Sequence, residues 1–532
     1  MPHRDRLTFA LLFALFADFL SAQQVQWLTA SPADWVLNPT TAVDVLCASD
    51  PDHVYVAHLD AISYTYNQPM GGITLTRQGV DGAVLWSVSL GDTVQVESIA
   101  SDADGNVVLG GRYFQRLLME GAPELTVPSD HITEGSFLCS WNADGQLLWR
   151  QEVSGGQFDD ISVASIAVDP QGRFWAALST FFSAEVIRLG TDGSQVESRS
   201  LVESKLIGNI CFDPWGGLYI AGSAGSPGIT VNGTDYPVTE TYAFFVTRMN
   251  AAGDAQWLEY AHDITFQKPR VQADLLGHAY LVGSYFEPLT WGSIPFVDPL
   301  WSDGFFLARL DSSGTFEWGL TPPYSPGSGH FIPAHGNALG VDAEGNAYLL
   351  GNEGGALDWG NGVVTGTGSI SDNSVALLSF DSTGLPRWGL QGGSTFTDIM
   401  YDLAVAPDGV AHFVGITSAP FTLGAFTVDP VSARGTVVAR VDAEVSTGSP
   451  EGEVLMEELI ACPSVFTDGF HLVSPLLKNS ASVRVMVVDA KGRTVVRTQG
   501  LRGELGHGLA PGPYTVLVHM DGRVWRARVV KE

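Results

Sequence analysis

The sequence is short of charge, of cysteine and of long apolar runs, and each shortage excludes a class of protein. Only 27 Lys/Arg and 58 Asp/Glu occur among 532 residues, so 16% are charged, where roughly 25% is usual for a soluble domain. Helical bundles and coiled coils draw on abundant Glu and Lys, and this chain lacks them. The positive charges are the scarcer kind, and a net charge of −31 excludes a nucleic-acid ligand, because affinity for phosphate comes from Lys and Arg. The same balance disfavours anionic lipid surfaces. The four cysteines, Cys47, Cys139, Cys211 and Cys462, form no CxxC pair, which excludes a disulfide-stapled scaffold. Three of them fall in apolar strand-like segments and read as buried free thiols, with one long-range disulfide left open.

No apolar run reaches the ~20 residues of a membrane-spanning helix, so no transmembrane segment is expected in the mature chain. The longest run, Leu7 to Ala17, follows Arg4 and Arg6 and precedes Leu20-Ser21-Ala22. That order is a secretory signal peptide, residues 1–22, with cleavage between Ala22 and Gln23. Among catalytic signatures, HExxH, GxSxG, the P-loop and a strand-associated GxGxxG are all missing.

What the chain does have is glycine, 60 residues of it, with 10% aromatics and 45% hydrophobics. Such a composition belongs to many short strands joined by turns. A repeat is visible in three registers. The first is an apolar pair, an Asp-x-x-Gly turn and a second apolar run, as in Ile99-Ala-Ser-Asp102-Ala-Asp-Gly105-Asn-Val-Val-Leu-Gly. It recurs at Asp169, Asp213, Asp274 and Asp342, and more loosely at Asp408-Gly409 and Asp50-Pro-Asp-His53. The second is an apolar strand closing on a polar turn, as in Phe137-Leu-Cys-Ser-Trp-Asn-Ala-Asp144-Gly145. The third is a Trp four residues after the turn glycine: Trp86, Trp149, Trp257, Trp318 and Trp388, with Val196 assigned that place in the third copy. The last copy ends at Asp442 without a Trp, while Trp27 stands alone before the first.

A strand carrying Trp27 completes the last copy, and closure of a ring hides sheet edges. The expected fold is therefore all-β: a seven-bladed β-propeller of four-stranded blades over residues 23–443, closed by the N-terminal strand. With strands a to d in each blade, the a-b and c-d turns are tight and share one side. The b-c and d-a connections share the other, and b-c carries an insert in several blades but not the third. That decorated side is the expected ligand side. Its candidate binding residues are Asp92, Asp159, Asp160, His262, Asp263, His330, His335 and Asp398. The adjoining acids Asp159 and Asp160 are of the type that holds Ca²⁺, though no cofactor is required and the Asp-x-Asp-Gly turns read as hairpins. Strand a lines the axis, and Asp44, Glu97, Asn209, Arg270, Asn337 and Asp402 are its polar positions.

After a polar linker at 444–454 the pattern changes. Residues 455–532 carry 10 Lys/Arg against 7 Asp/Glu and short alternating strands, read as a small Ig-like β-sandwich. Its Asp489-Ala-Lys-Gly492-Arg493 turn, Leu509-Ala-Pro-Gly512-Pro-Tyr514 segment and terminal Val529-Val-Lys531 resemble the C-terminal sorting domain of type IX secretion cargo in the Bacteroidota. Phe466 stands in place of that family's opening Pro-Phe segment, which is only partly kept. The resemblance implies passage through the periplasm and outer membrane and a secretion machinery as partner, with Phe466, Asp489, Gly492, Arg493, Gly512, Tyr514 and Lys531 as the sorting motif. The repeats, on the pattern of Asp342-Ala-Glu-Gly-Asn-Ala-Tyr-Leu-Leu-Gly, resemble the SBBP-type bacterial β-propeller repeat, which implies fold and an extracellular setting more than an activity.

Together these readings favour a monomeric secreted or cell-surface binding protein with a protein or glycan ligand. The alternatives are an extracellular polysaccharide hydrolase or lyase with its site at the channel mouth, and a structural envelope protein.

Overall fold

A computed structural model describes residues 24–32, 45–442 and 460–531, apart from short connecting stretches that include 154–160, 263–268, 297–303, 323–328 and 367–373. The leader at 1–22 with its Ala22-Gln23 junction, the linker at 444–454, Asp44, Asp159, Asp160, Asp263 and Gly492 lie outside the described residues. The described chain is all-β, and among these residues no helix is long and apolar enough to cross a membrane.

Antiparallel four-strand units follow one another along the chain. Unit 1 consists of Val45–Ser49, Val54–Leu59, Gln68–Gln78 and the first half of Val84–Ser101, whose second half opens unit 2 with Val107–Phe114, Glu134–Trp141 and Leu147–Val153. Unit 3 is Ser162–Val168, Phe174–Ser179, Ser183–Leu189 and Gln195–Val202; unit 4 is Ser204–Phe212, Leu218–Ala224, Ala243–Met249 and Ala255–His262. Unit 5 is Arg270–Ala273, Ala279–Tyr285, Gly304–Leu310 and Phe316–Leu320. Unit 6 begins with two short pieces, His330–Pro333 and Leu339–Val341, before Ala347–Gly354, Ser374–Phe380 and Pro386–Gly393. Unit 7 has Ile399–Val405, Ala411–Thr417 and Gly435–Asp442, and its outer strand is Gln24–Pro32 from the other end of the chain. Trp27 lies opposite Arg440 in that pairing.

The turn motif has a local cause. Asp102 Oδ1 accepts the N–H groups of Asp104 and Asn106 at 2.9 and 2.8 Å, and the same i+2, i+4 pattern recurs at Asp169, Asp213, Asp274 and Asp342. The carboxylate thus satisfies turn amides that the ladder cannot reach. Gly105 takes φ +82°, a conformation that costs glycine nothing.

The Trp register explains how units hold their neighbours. Trp27, Trp86, Trp257 and Trp318 each donate Nε1–H to a carbonyl in the c-d turn of the next unit, at Val80, Ala143, Ser312 and Ser382, over 2.8–3.0 Å. Trp149 makes the same approach by packing: a Cβ on Gly193 would sit 2.5 Å from its ring. A second clasp comes from strand b, where the hydroxyls of Tyr55, Tyr219 and Tyr280 donate to Gly105, Gly277 and Gly345 in the next unit's a-b turn.

Unit 3 departs from expectation. Val196 is 53% exposed, and Glu197 is the residue opposite Arg188 that matches the Trp register. The clasp passes instead to Arg199, which stacks on Trp175 and donates to the carbonyls of Asn250 and Ala251 in unit 4.

The b-c inserts also fall elsewhere than expected. Rather than standing on the long-loop side, the hairpins lie along the outer strands. Gly228–Val231 adds to the outer strand of unit 3 through Leu201 and Val231, and Phe421–Leu423 adds to that of unit 6 through Gly392 and Leu423. Asn232 and Asn361, near the hairpin tips, donate to Gly253 O and Pro386 O at the c-d end. The inserts cover exposed strand edges, which would otherwise template association with other chains.

The C-terminal residues form a five-stranded sheet from Val465–Phe466, Arg523–Lys531, Gly512–Met520, Arg484–Asp489 and Thr494–Gln499 in that order, with a separate pair Ile460–Cys462 and His471–Val473. Its core is Phe466, Phe470, Val485, Val487, Tyr514, Val516, Val518 and Val529.

Candidate functional site

The innermost strands converge on a cavity of about 120 Å³ lined from every unit, by Cys47, Glu97, Ser165, Asn209, Arg270, Asn337 and Asp402 among others. Its polar side chains join units. Glu97 accepts the Val163 N–H at 2.8 Å, Ser98 Oγ that of Ile166, Ser165 Oγ that of Ile210, and Asn209 that of Val271. Asp402 reaches two ways at once, taking the Asn337 N–H of unit 6 on Oδ1 and the Cys47 N–H of unit 1 on Oδ2, at 2.9 and 2.8 Å. Burial pushes the Asp402 carboxyl up to about 7, against these amides and the Arg270 charge. Glu97 is engaged on its other oxygen by Arg112 at 2.9 Å. Both acids of the cavity are therefore committed to the frame.

A second hollow opens at unit 3, the unit without an insert. It has a volume of about 300 Å³ and is lined by Ile161, Leu178, Thr180, Ser183, Ala184, Glu185, Ser200, Leu201 and Val202. An apolar wall with a few hydroxyls and one carboxylate is the usual make-up of a small-ligand cleft, and the volume is at the lower end of such sites. Val202, which lines it, Leu206 at the start of the next strand, and Tyr242 just before Ala243–Met249 are 44–56% exposed.

The residues singled out from sequence do not assemble into one site. Asp92 lies within the continuous strand Val84–Ser101 instead of a loop. His262 ends its strand, exposed, 3.5 Å from Glu240. His330 pairs in register with Gly354 of its own unit, whereas His335 packs on Tyr401 of unit 7 with ring centroids 5.8 Å apart. Burial lowers the His335 pKa. Asp398 is buried and caps its own loop, accepting Ser394 N–H and Oγ–H at 2.6 and 2.9 Å. Phe396 of the same loop is 64% exposed. Among the described residues no three His, Cys, Asp or Glu come together as a metal site, and Cys47, Cys139 and Cys211 are buried free thiols.

The C-terminal motif residues are partly structural. Asp489 accepts the Arg493 N–H and Nε–H, both at 2.9 Å, Tyr514 donates to Ala510 O, and Lys531 lies over the buried Phe466 ring. Gly512, at φ +148°, begins its strand.

The only sequence signal of the unit 3 cleft is an absence, the missing b-c insert of that unit. The double reach of Asp402 had no sequence signal, since Cys47 and Asn337 are far from it along the chain.

No protein-family model matches the chain, and no curated protein matches it. Solved structures similar to it include a protein of unknown function from Bacteroides caccae, 12% identical with a TM-score of 0.34 over 64% of this chain and 94% of that one. The Dos1 propeller is 9% identical with a TM-score of 0.34, over 78% and 96% of the two chains. An extracellular domain from B. thetaiotaomicron is 11% identical with a TM-score of 0.21, over 92% and 86%.

Proposed function

We propose that the units are the blades of a closed seven-bladed β-propeller and that the protein is a secreted or cell-surface binding protein for a protein or glycan ligand. Its C-terminal Ig-like module serves export by a type IX-like system. The closed ring is supported by the pairing of Gln24–Pro32 with Gly435–Asp442 and by the bridge of Asp402 to Cys47, which brings the last unit against the first.

The binding role rests on the unit 3 cleft, a hollow of about 300 Å³ beside exposed apolar side chains. Hydrolysis in the channel has less support, because both oxygens of Asp402 and of Glu97 already hold neighbouring groups. A glycosidase needs one carboxyl free to give a proton and another to attack or activate water. A glycan array and a panel of envelope proteins, probed with the purified chain, test the proposal alongside Ser183→Arg, which fills the cleft. Binding by the native chain and its loss in the variant are expected. Polysaccharide cleavage, or binding that ignores Ser183→Arg, would overturn the cleft as the site.

A further inference from the structure

The C-terminal sheet has two faces, and only one is its own core. Val485 and Val487 of one strand and Val516 and Val518 of its neighbour point into that core. Arg484, Met486 and Leu517 alternate with them and point the other way. Met486 and Leu517 are nevertheless 1% and 4% exposed, although neither belongs to the module's core cluster. Something covers the far face.

The arginines on that side identify it. The Arg484 guanidinium lies 4.8 Å from the centroid of the Trp215 ring, in the a-b turn of unit 4. Arg493 Nη1 is 2.9 Å from Asp104 Oδ1, in the a-b turn of unit 2. Arg497, opposite Met486 in the strand pairing, is half-buried, and its Nη2 is a buried donor without a partner among the described residues. Burial lowers its pKa, while the charges of Asp213 in unit 4 and Asp169 in unit 3 act in the opposite direction. An apolar centre flanked by polar contacts is the ordinary anatomy of a specific interface. Its charges are complementary: an excess of 3 positive charges on residues 455–532 meets a chain whose total is −31.

We propose that the tight-turn side of units 2 to 4 is a binding site for arginine side chains and that the chain's own C-terminal module is its occupant. Guanidinium is the fitting group, because it stacks flat on an indole and also pairs with carboxylate, which an ammonium does less well. The module then covers the tight-turn side and leaves the unit 3 cleft and the long loops open. The site does not depend on what the cleft binds.

The test uses the full chain with Arg493→Lys, which keeps the charge and supplies an amine. A carbodiimide condenses that amine with the Asp104 carboxylate, releasing the oxygen as the urea by-product, and peptide mass spectrometry reads the link. We expect an intramolecular 104–493 cross-link whose yield is independent of protein concentration and is lost with Asp104→Asn. A hexa-arginine peptide should lower the yield at least fivefold, with hexa-lysine much less effective, and Trp215→Ala should erase that difference. Absence of the cross-link in folded protein, a yield that rises with concentration, or equal competition by the two peptides would each overturn the proposal.

Discussion

Two joints between neighbouring units can be compared directly. Between units 5 and 6 the chain runs on, and Trp318 and Arg309 both donate to Ser382 O at 3.0 and 2.7 Å. In unit 7 no turn connects strand c, Gly435–Asp442, to strand d, Gln24–Pro32, yet Trp27 on that strand d makes the same donation to Val80 O of unit 1 at 2.8 Å. The side-chain chemistry is kept while the connectivity is not: inside unit 7 the outer strand is held to Gly435–Asp442 by strand pairing and side chains, with no c-d turn between them. The closure joint, of unit 7 with unit 1, also concentrates groups that the other joints lack: Asp402 across three units, and His412 buried beneath Trp27 with ring centroids 6.0 Å apart. One joint is left incomplete. Unit 7 has no c-d turn, because its outer strand comes from the other end of the chain, and among the described residues the buried Trp388 Nε1 of unit 6 has no partner.

Removing the closing strand should have the largest effect on this comparison. Deleting residues 25–29 strips Gly435–Asp442 of its outer partner and exposes the buried Val437, Ala439 and Val441. Calorimetry should show loss of a single cooperative transition, whereas Trp27→Ala should keep it and cost about 3–5 kcal/mol. An unchanged melting temperature in the deletion would mean that the joint is dispensable.

Asp402→Ala should cost about 3 kcal/mol in urea unfolding, because the Asn337 and Cys47 amides lose their acceptor together. Ser165→Ala, which frees only the Ile210 amide, should cost about 1 kcal/mol. Equal losses would remove the distinction between the closure joint and the others.

Acid should weaken the closure joint from one side and base from the other. His412 is held down to about 3 by burial and by Arg440, below its ordinary 6.5. Its neutral form is the folded one, so its contribution is present above pH 6.5 and is lost as pH falls toward 3. Asp402 is raised from 3.8 to about 7, so its contribution is present below pH 4 and is lost as pH rises toward 7. Urea midpoints between pH 3 and 8 should therefore peak at mildly acidic pH, and His412→Phe should flatten the acid limb. A variant as acid-sensitive as the native chain would rule His412 out.

The smallest effect is expected at the incomplete joint. Trp388→Phe removes an indole N–H that bonds to nothing, and the change should stay under about 1 kcal/mol. Trp318→Phe should cost more, as the Ser382 carbonyl loses one of its two donors. The difference is small enough to need paired denaturation curves.

Much of the fold was legible because its signals are local. An Asp that bonds its own i+2 and i+4 amides writes a turn into five residues, and a Trp at a fixed distance from the turn glycine marks the outer strand. The displaced Trp27 was legible for the same reason, as a register element with no strand beside it in sequence. In unit 3 the position four residues after the turn glycine Gly193 is Glu197 and not Val196, and residue spacing cannot show that Arg199 takes over the reach to the next unit. The ligand candidates fared differently. His330 and His335 are five residues apart, but His330 pairs within its own unit while His335 packs on Tyr401 of unit 7, and Asp398 reads as a surface acid although its loop folds over it.

The sequence by itself determined the turns, the strand alternation, the repeat and the compositional break before the C-terminal module, since each depends on neighbours within a few residues. Only the tertiary structure decided which amides Asp402 receives, where the inserts lie, which unit keeps an open cleft and that the Arg484 guanidinium stacks on Trp215. Those outcomes depend on groups brought together from distant parts of the chain, and a burial or a hydrogen bond between them exists only once the sheets have packed.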